Sequence, residues 1–225
     1  TDKKKDDSKR ACTSLTIGAE IKIPALVKAA VKFVFDRVTS TTSYHAHSAT
    51  TGDHAHSATT GDSAHSATTG YSAHSATTGY SAHSATTGYS AHSATTGDRA
   101  HSATTGYFAH SATTGDHAHS ATTGDHAHSD TTGDSAHSAT TGYSAESSVS
   151  GKNAIAASLG VKGKAKGAKG DWLVLAEYRE DGSIKAMGIA HVGGKKIKAD
   201  TFYELKDGKF EEAKLKKIQQ FTYRS

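Results

Sequence analysis

Apolar and polar positions divide this chain into three parts with different periods. Near the start, Leu15, Ile17, Ala19, Ile21 and Ile23 alternate with Thr16, Glu20 and Lys22, which predicts a half-buried strand with Gly18 as a bulge. Pro24 suits the first position of a helix. Over 25–38, Leu26, Val27, Ala30, Val31, Val34 and Val38 form one apolar stripe opposite Lys28, Lys32 and Asp36. From residue 46 to 145 the period becomes nine, as A-H-S-A-T-T-G-[DY]-x recurs with almost no drift. The glycine rhythm runs on through Gly151 and Gly160 after the other letters change. After Gly170, Trp172–Tyr178 and 184–192 flank the turn Glu180-Asp181-Gly182, while 201–205 and 209–213 flank Asp207-Gly208, the pattern of two hairpins.

A strict period without insertions is what stacked repeats require. The unit holds no Pro, Leu or Ile, and a Gly in every nine residues would break a helix. Collagen needs Gly at every third position. Polar low-complexity tracts often stay unfolded, but they have no reason to hold one spacing. These residues therefore predict an all-β solenoid of short strands turned at each Gly. Alternation along a strand allows two registers. With Ala64, Ser66 and Thr68 inward, His65, Ala67 and Thr69 face solvent; the other register buries eleven imidazoles, each costing about a kcal/mol or more without a partner. The first register is expected, with facing sheets closer than the usual ~10 Å. The flanking units agree, since outward slots turn apolar there, at Val38, Ile155, Leu159 and Val161. One nonapeptide is too short to close a coil with two sheets. Two per coil put Tyr71, Tyr89, Tyr107 and Tyr143 on one edge and only Tyr80 on the other. The array should be roughly 30 Å long at ~4.8 Å per coil.

The expected organisation is a mobile lead-in over 1–10, a strand and amphipathic capping helix over 11–43, and the solenoid over 44–161. A Lys/Gly linker over 162–170, a small β-hairpin domain over 171–213 and a basic tail over 214–225 follow. The helix is expected to hide the unpaired strand edges of the first coil. The net charge of +4 conceals a split: residues 1–45 and 146–225 are basic, whereas the array carries Arg99 against seven Asp, including Asp130 in place of an Ala. An acidic middle argues against a nucleic-acid groove along the repeats. The lone Cys12 forms no internal disulfide and leaves the compartment open. No stretch is long and apolar enough to span a membrane, and no secretory signal is visible. A start at Thr1 rather than Met suggests a processed form or a fragment.

The flanks carry a further likeness. DDSKRACTSLTIGAEIKIPALVKAAVKFV before the array, and NAIAASLGVKGKAKGAKGDWLVLAEY with KKIKADTFYELKDGKFEE after it, resemble uncharacterised bacterial and prophage-associated proteins in which Ala/Ser/Thr/Gly units lie between such flanks. The resemblance covers nearly the whole chain. It implies a capped β-solenoid, with an additional N-terminal domain in longer members, and no activity. Most members place Ala or another small polar residue where this chain has His. Calcium-binding nonapeptide rolls share the period but need paired Gly and Asp, which this unit lacks. Trimeric adhesin heads share an S-x-A-x-G flavour but use longer coils.

No nucleophile elbow, phosphate loop or paired carboxylate stands out, and eleven identical Ser/His surfaces do not make one positioned triad with an oxyanion hole. The chain is expected to be no enzyme but a rigid spacer or surface-binding module, on a phage particle or cell surface, extracellular or virion-associated. Partners would be further copies of itself or a surface polymer. The alternative lies in the imidazoles. His47, His56, His65, His74, His83, His92, His101, His110, His119, His128 and His137 would form two outward rows, with His45, His54, His117 and His126 each two residues before a row member. Neighbouring neutral rings of this kind are candidate ligands for Zn²⁺, Ni²⁺ or Cu²⁺. The H-x-H pairs are expected to lie on one side of a strand. A regular Thr-bearing face also invites an ice-binding reading, with one outward Thr per strand.

Overall fold

In the computed structural model the described residues are 40–42, 44–194 and 196–213. The chain divides into two units, Thr1–Val38 and Thr39–Ser225, and all described residues belong to the second. The expected strand at 15–23, helix at 25–38 and tail at 214–225 lie outside them.

The repeat builds a parallel β-solenoid. After β1 (Ser40–Thr42), each H-S-A-T-T run, and H-S-D-T-T at His128–Thr132, forms a five-residue strand, from β2 (His47–Thr51) through β12 (His137–Thr141), one every nine residues. Odd-numbered strands stack in sheet A and even-numbered strands in sheet B, so one coil takes eighteen residues, as expected from the Tyr edge. Pairing is in register, His on His and Thr on Thr: His65 faces His83 and Thr69 faces Thr87. Burial alternates along the strands, with Ser and the first Thr inward and His, Ala and the second Thr outward. The Ala that precedes each strand, such as Ala64 and Ala100, is fully buried at the corner.

Between corners the glycine answers to its neighbour above and below. A Cβ on Gly88 would lie 1.8 Å from the Gly70 carbonyl oxygen, so no side chain fits there. From Gly52 to Gly133 each repeat glycine N–H in turn donates to the coil that follows, as Gly88 does to the Thr105 carbonyl at 2.9 Å.

The corners come in two forms. From Ser63 to Phe108, the N–H of the last residue of the unit donates backward, as in Ser72 to the Asp53 carbonyl at 2.7 Å and Phe108 to Tyr89 at 2.9 Å. From His117 onward it donates forward, His117 to Asp134 at 2.9 Å and Ser144 to Val161 at 2.8 Å, and that residue adopts a left-handed φ near 55°. In the second form Asp116, Asp125 and Asp134 use a carboxylate oxygen to accept the N–H eighteen residues on, at 2.8–3.0 Å. The dipeptide alone does not choose the form: Asp62-Ser63 takes the first, Asp134-Ser135 the second.

Inside, the two hydroxyl rows behave differently. Every Ser Oγ from Ser57 to Ser147 donates to the Ser nine residues earlier, on the opposite sheet, at 2.7–2.9 Å. The bonds therefore zigzag between sheets at half-coil steps rather than joining one coil to the next, and they hold the sheets close. The inward Thr hydroxyls of Thr59, Thr68, Thr77, Thr86, Thr104, Thr113, Thr122 and Thr131 have no hydrogen-bond partner in the chain. Val149, which pairs with Thr131 at the same slot, is buried equally well.

Residues 162–170, expected as a linker, hold one more strand of the coil, β15 (Lys164–Lys166). Ala165 is buried between the outward Lys164 and Lys166, so charge and inward packing coexist there. The segment 171–213 extends the same two sheets. β14 (Ile155–Ser158) pairs parallel with β16 (Trp172–Tyr178), which pairs antiparallel with β17 (Ile184–His191) at the end of sheet B. β18 (Tyr203–Lys206) joins β15 and then β19 (Lys209–Glu212) at the end of sheet A. Between them Leu173, Leu175, Val192, Ile197, Tyr203 and Leu205 form the apolar core. Gly188 lies where a Cβ would come within 2.8 Å of Leu205 and Phe210.

Two substitutions separate the hydroxyl rows. Ser84 donates to Ser75 and accepts from Ser93, so Ser84→Ala should lower unfolding stability by about 1–3 kcal/mol. Thr86 breaks no bond on losing its hydroxyl, and Thr86→Val should raise stability by about 1 kcal/mol. Thermal unfolding of the two variants checks this; a valine variant that melts below the parent overturns it.

Candidate functional site

Each row histidine is the first residue of its strand, set outward by the buried corner Ala that precedes it. His47, His65, His83, His101, His119 and His137 line sheet B; His56, His74, His92, His110 and His128 line sheet A. Ring centroids of successive histidines lie 4.7–5.0 Å apart with planes within 11°, except that His137 turns edge-on to His119. Rings stacked face to face along the axis present edges, not faces, to solvent. Beside the row on sheet B runs a floor of Ala49, Ala67, Ala85, Ala103, Ala121 and Ala139, and ridge and floor shape an open groove of about 1010 Å³. One Thr per strand faces outward beyond the floor, as in Thr87 and Thr105.

Four positions in the rows disfavour protonation. His74, His83, His110 and His119 are held below the usual imidazole value, first by partial burial and then by the like charge of their stacked neighbours. For His83 those neighbours are His101 and His65; for His110, Asp130 pulls weakly the other way.

The H-x-H pairs are not two residues of one strand. His45, His54, His117 and His126 sit in the corners, and at His117 and His126 the backbone is left-handed. Two of these rings meet corner aromatics, as His126 stacks on Phe108 at 5.7 Å and His45 meets Tyr44 edge-on at 4.6 Å, while His54 and His117 lie close enough to His74 and His119 to disfavour their protonation. Within the rows, a shared ion with nitrogens at ~2.1 Å allows them at most about 4.2 Å apart, less than the 4.7–5.0 Å stacking distance. Rings would have to tilt toward each other to share one. Among the described residues no group of three or more His, Cys, Asp or Glu is placed to hold a metal ion.

The two rows end differently, which their shared motif does not reveal. On sheet A the row passes into Glu146, whose carboxylate lies 3.4 Å from His128 Nδ1 and 2.7 Å from Lys164 Nζ. The bond from His128, then that from Lys164, hold the Glu146 carboxyl down at about 2. On sheet B the row passes into Ile155, Trp172 and His191, the last two rings 5.0 Å apart. The signal was present at position 146, where Glu stands in the His slot.

The corner edge carries a second stack, Tyr71, Tyr89 and Tyr107 at 5.1 and 5.4 Å. Among the described residues no helix is long and apolar enough to cross a membrane.

Fold and faces together define a parallel β-solenoid repeat protein with two opposite histidine-bearing sheets. Comparison of the chain with protein-family models, curated proteins and solved structures gives no match.

The lowered histidines fix a direction for pH. Because His74, His83, His110 and His119 bind fewer protons folded than unfolded, the stability they contribute is full above the ordinary imidazole value of ~6.5 and is lost as pH falls through the lowered values. The melting temperature should therefore drop between pH 7.5 and pH 5. Changing His74, His83, His110 and His119 to Gln should flatten that drop, as followed by circular dichroism melts; an unchanged slope would mean that the rows do not carry it.

Proposed function

We propose that this chain is a non-enzymatic structural element, a stiff spacer that holds regular side-chain rows on two flat faces. The observation that carries this reading is the unbroken coil-to-coil register from β2 to β16, with the serine zigzag running through most of it. Such a body has no hinge along its array, since every strand from β3 to β16 is bonded on both sides. A setting on a phage particle or cell surface, to which the flank resemblance points, suits a part whose length is set by repeat number.

The test is length. Duplicating residues 80–97, one full coil, should lengthen the particle by ~4.8 Å per copy and leave cooperative unfolding intact. Small-angle scattering of chains with zero, two and four added coils measures this. Particles that fail to lengthen, or that lose cooperative unfolding, count against a modular spacer.

A second reading, weak divalent-metal binding by the rows, is favoured by one observation: burial and stacked neighbours lower the proton affinity of His74, His83, His110 and His119, which favours the neutral form that ligates. Calorimetry with Zn²⁺ or Ni²⁺ at pH 7.5 should show multi-site binding that disappears when His65, His74, His83, His92, His101 and His110 become Ala. Equal heats from both chains would remove this reading.

A further inference from the structure

The two faces share one motif in the array yet differ in charge, and that difference points to an interface. On sheet A the Ala floor is interrupted by exposed Asp130, opposite Ala112, and the His row runs into Glu146 and Lys164. On sheet B the corresponding slots hold no charged residue. The floor there continues from Ala139 through Ala157 to Val174 and Ile189, and the ridge from His137 through Ile155 to Trp172. At this end the face exposes large apolar side chains: Trp172 at 44%, Ile184 at 52%, Met187 at 59% and Ile189 at 69%. An apolar patch of that kind beside a neutral groove marks a contact surface.

We infer that the outward face of sheet B is the interface of a two-fold dimer of this chain. Ridge and floor lie side by side on one face, one side-chain pair or roughly 7 Å apart along the strand. A two-fold axis parallel to the solenoid axis reverses the strand direction between copies. Offset sideways by that one pair, each copy's imidazole ridge lies over the other's alanine floor. The axial repeat is the same on both copies, so every ridge residue meets an equivalent site, a match that a partner without this repeat does not offer. Across nine strands the face covers roughly 650 Å² per copy, or about 1,300 Å² in the pair, above the ~1,000 Å² a specific interface needs. On sheet A the same docking would set Asp130 against a partner's ridge and bury Glu146 and Lys164, so sheet A remains free. This inference does not rest on the spacer reading.

The test uses matched positions on the two sheets. Ala103 in β8 (His101–Thr105) and Ala94 in β7 (His92–Thr96) are outward floor residues of sheets B and A. Both tolerate Asp in the folded chain, because Asp130 already occupies that slot. Sedimentation equilibrium of the full chain should show a dimer at micromolar concentration. At about pH 8, well above the ordinary imidazole value of ~6.5, Ala103→Asp should weaken it by about 100-fold or more, since the two-fold then buries two carboxylates without a cationic partner. Ala94→Asp should leave it unchanged, and Met187→Lys should weaken it from the apolar end. A parent chain that stays monomeric at its highest soluble concentration overturns the inference. So do a dimer that survives Ala103→Asp and equal losses from Ala103→Asp and Ala94→Asp.

Discussion

Two sheets held a hydroxyl bond apart leave room for nothing larger than Ala, Ser, Thr and the Thr-shaped Val149, and much of the molecule follows from that spacing. Hydrophobic burial scales with apolar area, and a core of single methyl groups offers little of it. Cohesion in the array must come from directional bonds instead. The backbone ladders supply them along the axis, and the serine zigzag supplies them across it. Glycine at each turn belongs to the same constraint, because a coil-to-coil approach that brings a Cβ to 1.8 Å from a carbonyl cannot be relaxed by one side chain moving aside. Among the described residues, ordinary apolar packing appears only where the repeat ends, between the β16–β17 and β18–β19 hairpins.

This division explains why so much of the fold was legible in the sequence. A period of nine with one glycine, together with the cost of burying eleven imidazoles, determines strand, register and facing, and the Tyr71-Tyr89-Tyr107 edge determines two units per coil. The bonding partner of the serines was less accessible. Ser to Ser across half a coil depends on how closely the sheets approach, a distance that no single residue encodes. The H-x-H pairs misled for a related reason. Alternation holds only inside a strand, and His117 and His126 stand at corners where the chain turns left-handed. Residues 162–170 look like a linker because four lysines dominate their composition, yet the small Ala165 between two of them is what the coil needs.

The two histidine rows show how little separates equivalent surfaces. Identical pentapeptides make both, and the distinction arises from a few substitutions at one end: Asp130 and Glu146 on one sheet, Ile155 and Trp172 on the other. Repetition builds the body of the protein, and departures from repetition give its sides different chemistry. Glu146 illustrates the coupling, since one carboxylate both closes a row and ties His128 to Lys164 across three successive coils.

The reversal of corner bonding between Phe108 and His117 has a consequence for how the array holds information. Each corner donates toward one end of the stack, so the corners carry a polarity, and the reversal is a wall between two domains of opposite sign. At that wall the carbonyls of Asp98 and Asp116 on one edge, and of Tyr107 and Asp125 on the other, receive no corner N–H. Shifting the wall by one coil flips one peptide per edge and leaves the number of such carbonyls the same. The asparagine and lysine corners at Asn153 and Lys162 share the left-handed φ of the segment that follows the wall. A corner's conformation is thus inherited from its neighbour more than dictated by its own dipeptide, and a chain of identical words acquires a direction that no single word contains.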